Sequence, residues 1–146
     1  NYSLIKSIFI PPHVTKICKY AFYQCTQLQQ IDIPSNSELQ IIEENAFRDA
    51  LIKSIFIPPH VTKICKNAFY FCSQLQRIDI PSNLELQTVE KYALFSSSIS
   101  SIFILPHVKT IGSHPFFFAN NSEKLIFNQI QNFKQLKNMH YSVHQL

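Results

Sequence analysis

His13, His60 and His107 stand at equal intervals of 47 residues, and Cys18 and Cys65 follow the first two at the same distance of five. Imidazole and thiol groups in this pattern suggest two chemistries, a metal site or a thiolate activated by a histidine base. The regularity argues against both. An active site occurs once, in a pocket, whereas this pair recurs because a whole segment recurs. If the copies lie two strands apart, His13 and His60 are separated by about 10 Å, too far for two ligands of one zinc ion. The copied thiols, Cys18 with Cys65 and Cys25 with Cys72, are separated in the same way, beyond the roughly 7 Å between Cα atoms that a disulfide allows. A bridge within one copy, Cys18 to Cys25 or Cys65 to Cys72, stays open. Gly112 is the only glycine, so no glycine-rich phosphate loop exists. Glu43 and Glu44 read as a solvated turn. No catalytic residue, metal or cofactor is expected.

The elements that carry these residues are repeats. Ile52 through Lys66 reproduces Ile5 through Lys19 at a spacing of 47, and a third copy starts at Ile99 and keeps Pro106, His107, Val108 and Ile111. Inside each 47 lies a smaller unit of alternating length 23 and 24. It is marked by Ile8-Phe9-Ile10, Ile31-Asp32-Ile33, Ile55-Phe56-Ile57, Ile78-Asp79-Ile80, Ile102-Phe103-Ile104 and Leu125-Ile126-Phe127. Alternation of apolar residues over these cores predicts six short strands with one buried face. Four of them run straight into Pro, which cannot donate to a ladder and ends the strand. The pairs Val14/Ile17, Leu39/Ile42, Val61/Ile64, Leu86/Val89 and Val108/Ile111 would form the opposite wall. Ala21-Phe22, Ala46-Phe47, Ala68-Phe69, Ala93-Leu94 and Pro115-Phe116 would drop into the interior from a short helical or irregular turn. Units of this length must stack to bury their apolar faces, with about 4.8 Å between strands.

At 146 residues and 46% apolar, the chain can bury a core as one compact unit. Its charge of +4 is spread over 13 basic and 9 acidic residues without a basic run, a poor footprint for nucleic acid. No apolar stretch is long enough to cross a bilayer, so no membrane insertion is expected within this chain. Nothing at Asn1 resembles a signal region, and without an initiating Met the chain reads as a fragment or processed piece.

If Ile8 and Ile10 point inward, Phe9 points outward, and its equivalents are Asp32, Phe56, Asp79, Phe103 and Ile126. Beside them runs Ser7, Gln30, Ser54, Arg77, Ser101 and Lys124. Exposed aromatics flanked by charge suit a contact patch. The expected partner-binding residues are therefore Phe9, Asp32, Phe56, Asp79, Phe103 and Arg77. A second reading of the same row is that strands favour aromatics and duplication copied one Phe three times.

The pattern L-x-x-I-x-I-P, then V-x-x-I, then A-F-x-x-C-x-x-L, carried by Val14-Thr15-Lys16-Ile17, Ala21 through Leu28, Ile31-Asp32-Ile33-Pro34 and Ile111-Gly112, resembles the BspA-type leucine-rich repeat of surface proteins of bacteria and anaerobic protists. The likeness covers roughly 5–127, and the alternating lengths are most similar to protist members. It implies an α/β fold, a right-handed leucine-rich-repeat solenoid of about six turns of 23–24 residues. A parallel sheet forms one face, and short helical or irregular turns lie opposite. It also implies a non-catalytic recognition or adhesion module at a cell surface or in secretion. The partner would be a protein, such as a host or matrix protein, or a glycan, with homo-oligomers also in view.

An intracellular scaffold of the same fold and, behind it, a cysteine-dependent enzyme are the alternatives. Within the pattern, Cys stands at a small buried position, which favours free thiols. Asp49-Ala50 and Ser97-Ser98 replace that Cys in the even turns. The solenoid is assigned to 1–128. Over 129–146 the pattern fades, and Ile130, Phe133, Leu136, Met139 and Val143 suggest a capping helix, with a degenerate seventh turn as the alternative. Asn1-Tyr2-Ser3 and Asn120-Asn121-Ser122 match glycan acceptor triplets.

Overall fold

A computed structural model describes residues 4–99, 102–104, 108–115 and 125–127. Both acceptor triplets, His107 and the expected cap over 129–146 lie outside them. Among the described residues the chain coils through eleven short strands in two series. The three-residue series is β1 (Ser7–Phe9), β3 (Gln30–Asp32), β5 (Ser54–Phe56), β7 (Arg77–Asp79), β9 (Ile102–Ile104) and β11 (Leu125–Phe127). The two-residue series is β2 (Lys16–Ile17), β4 (Ile41–Ile42), β6 (Lys63–Ile64), β8 (Thr88–Val89) and β10 (Thr110–Ile111).

The six expected strands all form, and their register follows the repeat: Phe9 pairs with Asp32, Phe56 with Asp79, and Phe103 with Ile126, all parallel. This first wall is laddered in pairs, with Lys53 N–H donating to the Gln29 carbonyl across the gap between β3 and β5. The continuous ladder lies on the second wall, where β2, β4, β6, β8 and β10 make one five-stranded parallel sheet. Two residues per strand suffice there because each coil turns away at once and the next coil supplies the partner.

No helix occurs among the described residues, where the turns take the irregular one of the two expected forms and the helical component of the expected α/β class is not seen. Residues 18–25 give the reason. The N–H groups of Ala21, Tyr23 and Cys25 donate to the carbonyls of Cys18, Tyr20 and Phe22, three bends staggered by two residues. The intervening N–H groups of Tyr20, Phe22 and Gln24 donate sideways to Glu44, Ala46 and Arg48 of the next coil, at 3.2, 2.7 and 2.8 Å. A helix would point all of them along its own axis and leave none for the next coil. The arrangement returns from Asn45, Phe47 and Asp49 onto Lys66, Ala68 and Tyr70, and from Asn67, Phe69 and Phe71 onto Lys91, Ala93 and Phe95. It forms a third, bend wall.

Staggered bends require left-handed backbone, found at Tyr20, Gln24, Asn45, Asp49, Asn67, Phe71, Tyr92, Ser96 and His114, with φ from 49° to 61°. Asn and Asp tolerate this region, but Tyr, Phe and Gln hold it at a cost of order 1 kcal/mol each, offset here by the sideways hydrogen bonds.

Stacked side chains fill the interior. Phe22, Phe47 and Phe69 lie face to face at 5.1 and 5.2 Å with planes 8° apart, and Leu94 is buried at the next position. Ala46, Ala68 and Ala93 beside them are fully buried, where a larger group would collide with the neighbouring coil. Cys25, Ala50, Cys72 and Ser97 form a buried row of small residues. The Cys72 thiol donates to the Phe47 carbonyl and the Ser97 hydroxyl to that of Leu94. The duplicated segment exposes the energetics directly. Ile5 is 47% exposed while its copy Ile52 is fully buried, because Ile52 has a coil on each side.

Candidate recognition surface

Alternation along the three-residue strands sorts the first wall as expected. Ile31 and Ile55 are buried and Ile8 and Ile78 half-buried, while Ser7, Gln30, Ser54 and Arg77 face solvent. Within the row proposed for contact, Phe9 is 54% exposed and Asp32 is exposed. Phe56 differs from its copy: it is half-buried and packs against the core. Flanking strands on both sides shield it, whereas Phe9 stands on the first coil. Asp79 is held by Arg77 of the same strand, whose Nη2 and Nε lie 2.9 and 3.0 Å from one Asp79 oxygen. Residues i and i+2 share a face of a strand, so the pair fixes a local dipole beside Phe56. Phe103 lies in β9 opposite Ile126 of β11. The register thus puts Phe9 beside Asp32 and Phe56 beside Asp79, with about 5 Å between neighbouring strands.

The residues that suggested chemistry disperse. His13 and His60 are exposed, and His60 Nδ1 lies 3.2 Å from a Glu85 oxygen rather than near a thiol. No three His, Cys, Asp or Glu side chains gather as a metal site among the described residues. All four cysteines are free thiols: Cys25 and Cys72 are buried, Cys65 is half-buried and Cys18 exposed. Burial holds the Cys65 thiol above its usual range and the Cys72 thiol far above it, the reverse of the activation a nucleophile needs.

Glu43 and Glu44 have structural duties. Glu43 accepts the Lys19 backbone N–H at 2.8 Å, and its copy Glu90 does the same for Lys66. Glu44 lies 2.8 Å from Lys19 Nζ and 3.7 Å from Lys66 Nζ, and its hydrogen bond with Lys19 draws its carboxyl below the usual range. The recurrence of Glu43 at Glu90 was the available signal.

Sequence reasoning missed one feature, a set of aromatic side chains on the bend wall formed by Tyr20, Tyr23, Tyr70, Phe71, Tyr92 and Phe95. Alignment on the buried alanines would have shown it, since Tyr23, Arg48, Tyr70 and Phe95 each stand two residues after Ala21, Ala46, Ala68 and Ala93.

Two parallel walls, short repeats and a stacked aromatic core define a parallel β-solenoid of leucine-rich-repeat type. The family model for the BspA type leucine rich repeat region matches residues 1–123 in six copies, and the chain belongs to that family. Among solved structures it is similar to the pneumococcal vaccine antigen PcpA, with 28% identity and a TM-score of 0.72 over 76% of this chain and 27% of that one. It is also similar in fold to a leucine rich cell surface protein from Faecalibacterium prausnitzii A2-165, with 23% identity and a TM-score of 0.60 over 84% of this chain and 39% of the other. This chain thus spans well under half the length of either. No curated protein matches it. No helix among the described residues is long and apolar enough to cross a membrane.

Proposed function

We propose that the chain is a non-catalytic recognition module of a larger cell-surface or secreted protein, holding a protein partner on its first wall through Phe9, Asp32, Phe56, Arg77, Asp79 and Phe103. The observation that carries this reading is the exposed Phe9 ring in register with Asp32, repeated one 47-residue unit later by Phe56 in register with Asp79. Aromatic area beside charge on a rigid sheet supplies contact at low entropic cost. Surface location is supported by the similar proteins, one described as a vaccine antigen and one as a cell surface protein. A non-catalytic role is supported by Cys65 and Cys72 thiols that burial makes less reactive and by a His60 ring that pairs with Glu85.

The test is adhesion of beads displaying the chain to surfaces coated with extracellular matrix proteins. The natural chain should bind saturably to at least one coating, and a Phe9→Ser, Asp32→Asn variant should bind at least about tenfold more weakly with an unchanged melting temperature. Equal adhesion by the two would remove the first wall from the function. Self-association through the same first-wall row is the second reading. Light scattering that shows a dimer converted to a folded monomer by Phe9→Ser would support it.

A further inference from the structure

The bend wall carries more exposed aromatic surface than the first wall. Tyr20, Tyr23 and Phe71 are 48%, 38% and 45% exposed, three of the six large apolar side chains that protrude among the described residues. They are parts of one array. Along the axis, the Arg48 guanidinium lies over the Tyr23 ring at 5.9 Å and the Tyr70 ring at 4.9 Å, and Tyr70 stacks on Phe95 at 5.1 Å. Tyr20 stands edge-on to Tyr23, and Phe71 and Tyr92 stand edge-on to Tyr70 and Phe95. The interior is already filled by Phe22, Phe47, Phe69 and Leu94, so these outer rings are not needed to close the core.

Charge gives the array a sign. The rows bordering it hold Lys19, Arg48, Lys66 and Lys91 against Glu44, which Lys19 and Lys66 share, and Asp49, whose oxygen lies 3.5 Å from Arg48 Nε and leaves the terminal guanidinium nitrogens to a partner. The next row is balanced, Lys16 with Glu43 and Lys63 with Glu90. Lys91 sits 4.6 Å over the Tyr92 ring and pairs with no carboxylate among the described residues. Tyr and Arg are the side chains that dominate protein interfaces, and a guanidinium between two rings offers its remaining donors to a carboxylate in a fixed plane.

We propose that the bend wall is a second recognition surface, fitted to an acidic, aromatic-bearing segment of a partner polypeptide. Carboxylates of the segment pair with Lys91 and Arg48, and its apolar side chains lie against Phe71 and Tyr70. Phe71 decides between polypeptide and anionic glycan, because this protruding ring has no hydrogen bond to give a sugar hydroxyl and suits an apolar side chain. The backbone under the array is fixed by the sideways hydrogen bonds of residues 67, 69 and 71, so little order remains to be imposed on binding. The surface shares no residue with the first wall and does not depend on it.

The probe is a short fluorescein-labelled peptide of alternating Glu and Tyr, with binding followed by anisotropy. The natural chain should bind it saturably, and more weakly as salt rises. Phe71→Ser and, separately, Lys91→Glu should each reduce affinity about tenfold, while Phe9→Ser leaves it unchanged. Lys91→Glu guards the test against misfolding, since that side chain's one described contact is the Tyr92 ring. Absence of saturable binding, or unchanged affinity in both bend-wall variants, overturns the proposal. So does a heparin fragment binding through Phe71 and Lys91 while the peptide does not.

Discussion

Ile5 and Ile52 occupy equivalent places in two copies of one fifteen-residue segment, so Ile5→Ala and Ile52→Ala delete the same atoms from the same local sequence. Local propensity and turn chemistry cancel between them, and the difference isolates what a neighbouring coil contributes. Ile52, in the β5 coil, is fully buried between the β3 and β7 coils, so its truncation leaves a cavity with coils on both sides and should cost about 2–5 kcal/mol. Ile5 is 47% exposed, and its site can collapse toward solvent, so the loss should be about 1 kcal/mol or less. With a urea slope of about 2 kcal/mol per molar, the midpoint should move by about 1–2.5 M for Ile52→Ala and by about 0.5 M or less for Ile5→Ala. Tyrosine fluorescence and circular dichroism together would report whether the coils unfold as one unit. Equal midpoint shifts for the two variants would refute the claim that stacking between coils, rather than the segment itself, holds the fold.

Three further outcomes are expected. A Cβ on Gly112 would lie 2.3 Å from the Lys91 backbone nitrogen, so Gly112→Ala should force the 108–115 coil outward and lower stability by about 1–3 kcal/mol in thermal melts. Gln24 holds φ at 54°, so Gln24→Gly should raise the melting temperature or leave it unchanged, whereas Gln24→Val should lower it; the opposite order would contradict the strain assigned to the bends. Under native conditions iodoacetamide should label Cys18 readily while Cys72, buried and held protonated by desolvation, should react only through unfolding even as the pH is raised. Mass spectrometry of each site checks this, and pH-dependent labelling of native Cys72 would contradict it.

Much of the fold was legible because duplication exposed it. The repeated segment set the period, and alternation in Ile8-Phe9-Ile10 and Ile31-Asp32-Ile33 set the strands and the outward row. The bend wall was hidden for a physical reason. Its left-handed residues are Tyr, Gln, Phe, Ser and His as well as Asn and Asp, and none is the glycine that announces such backbone, because hydrogen bonds from the next coil impose it. Phe56 was expected to be as open as Phe9, but identical residues at different depths in a stack meet different neighbours, and only the position along the axis tells them apart. The aromatic array was missed because Tyr23, Arg48, Tyr70 and Phe95 differ in type and alternate in spacing, so they align only when the buried alanines set the frame.

On the proposed reading, the outward row of the first wall meets a protein partner. Photo-crosslinking tests it most directly, with p-benzoylphenylalanine in place of Phe9 in one sample and in place of the exposed second-wall Thr15 in another, each irradiated on the matrix coating that the beads bind. A discrete crosslinked protein from position 9 and none from position 15 is the expected result. Equal crosslinking from both, or none from position 9 while adhesion persists, would contradict it.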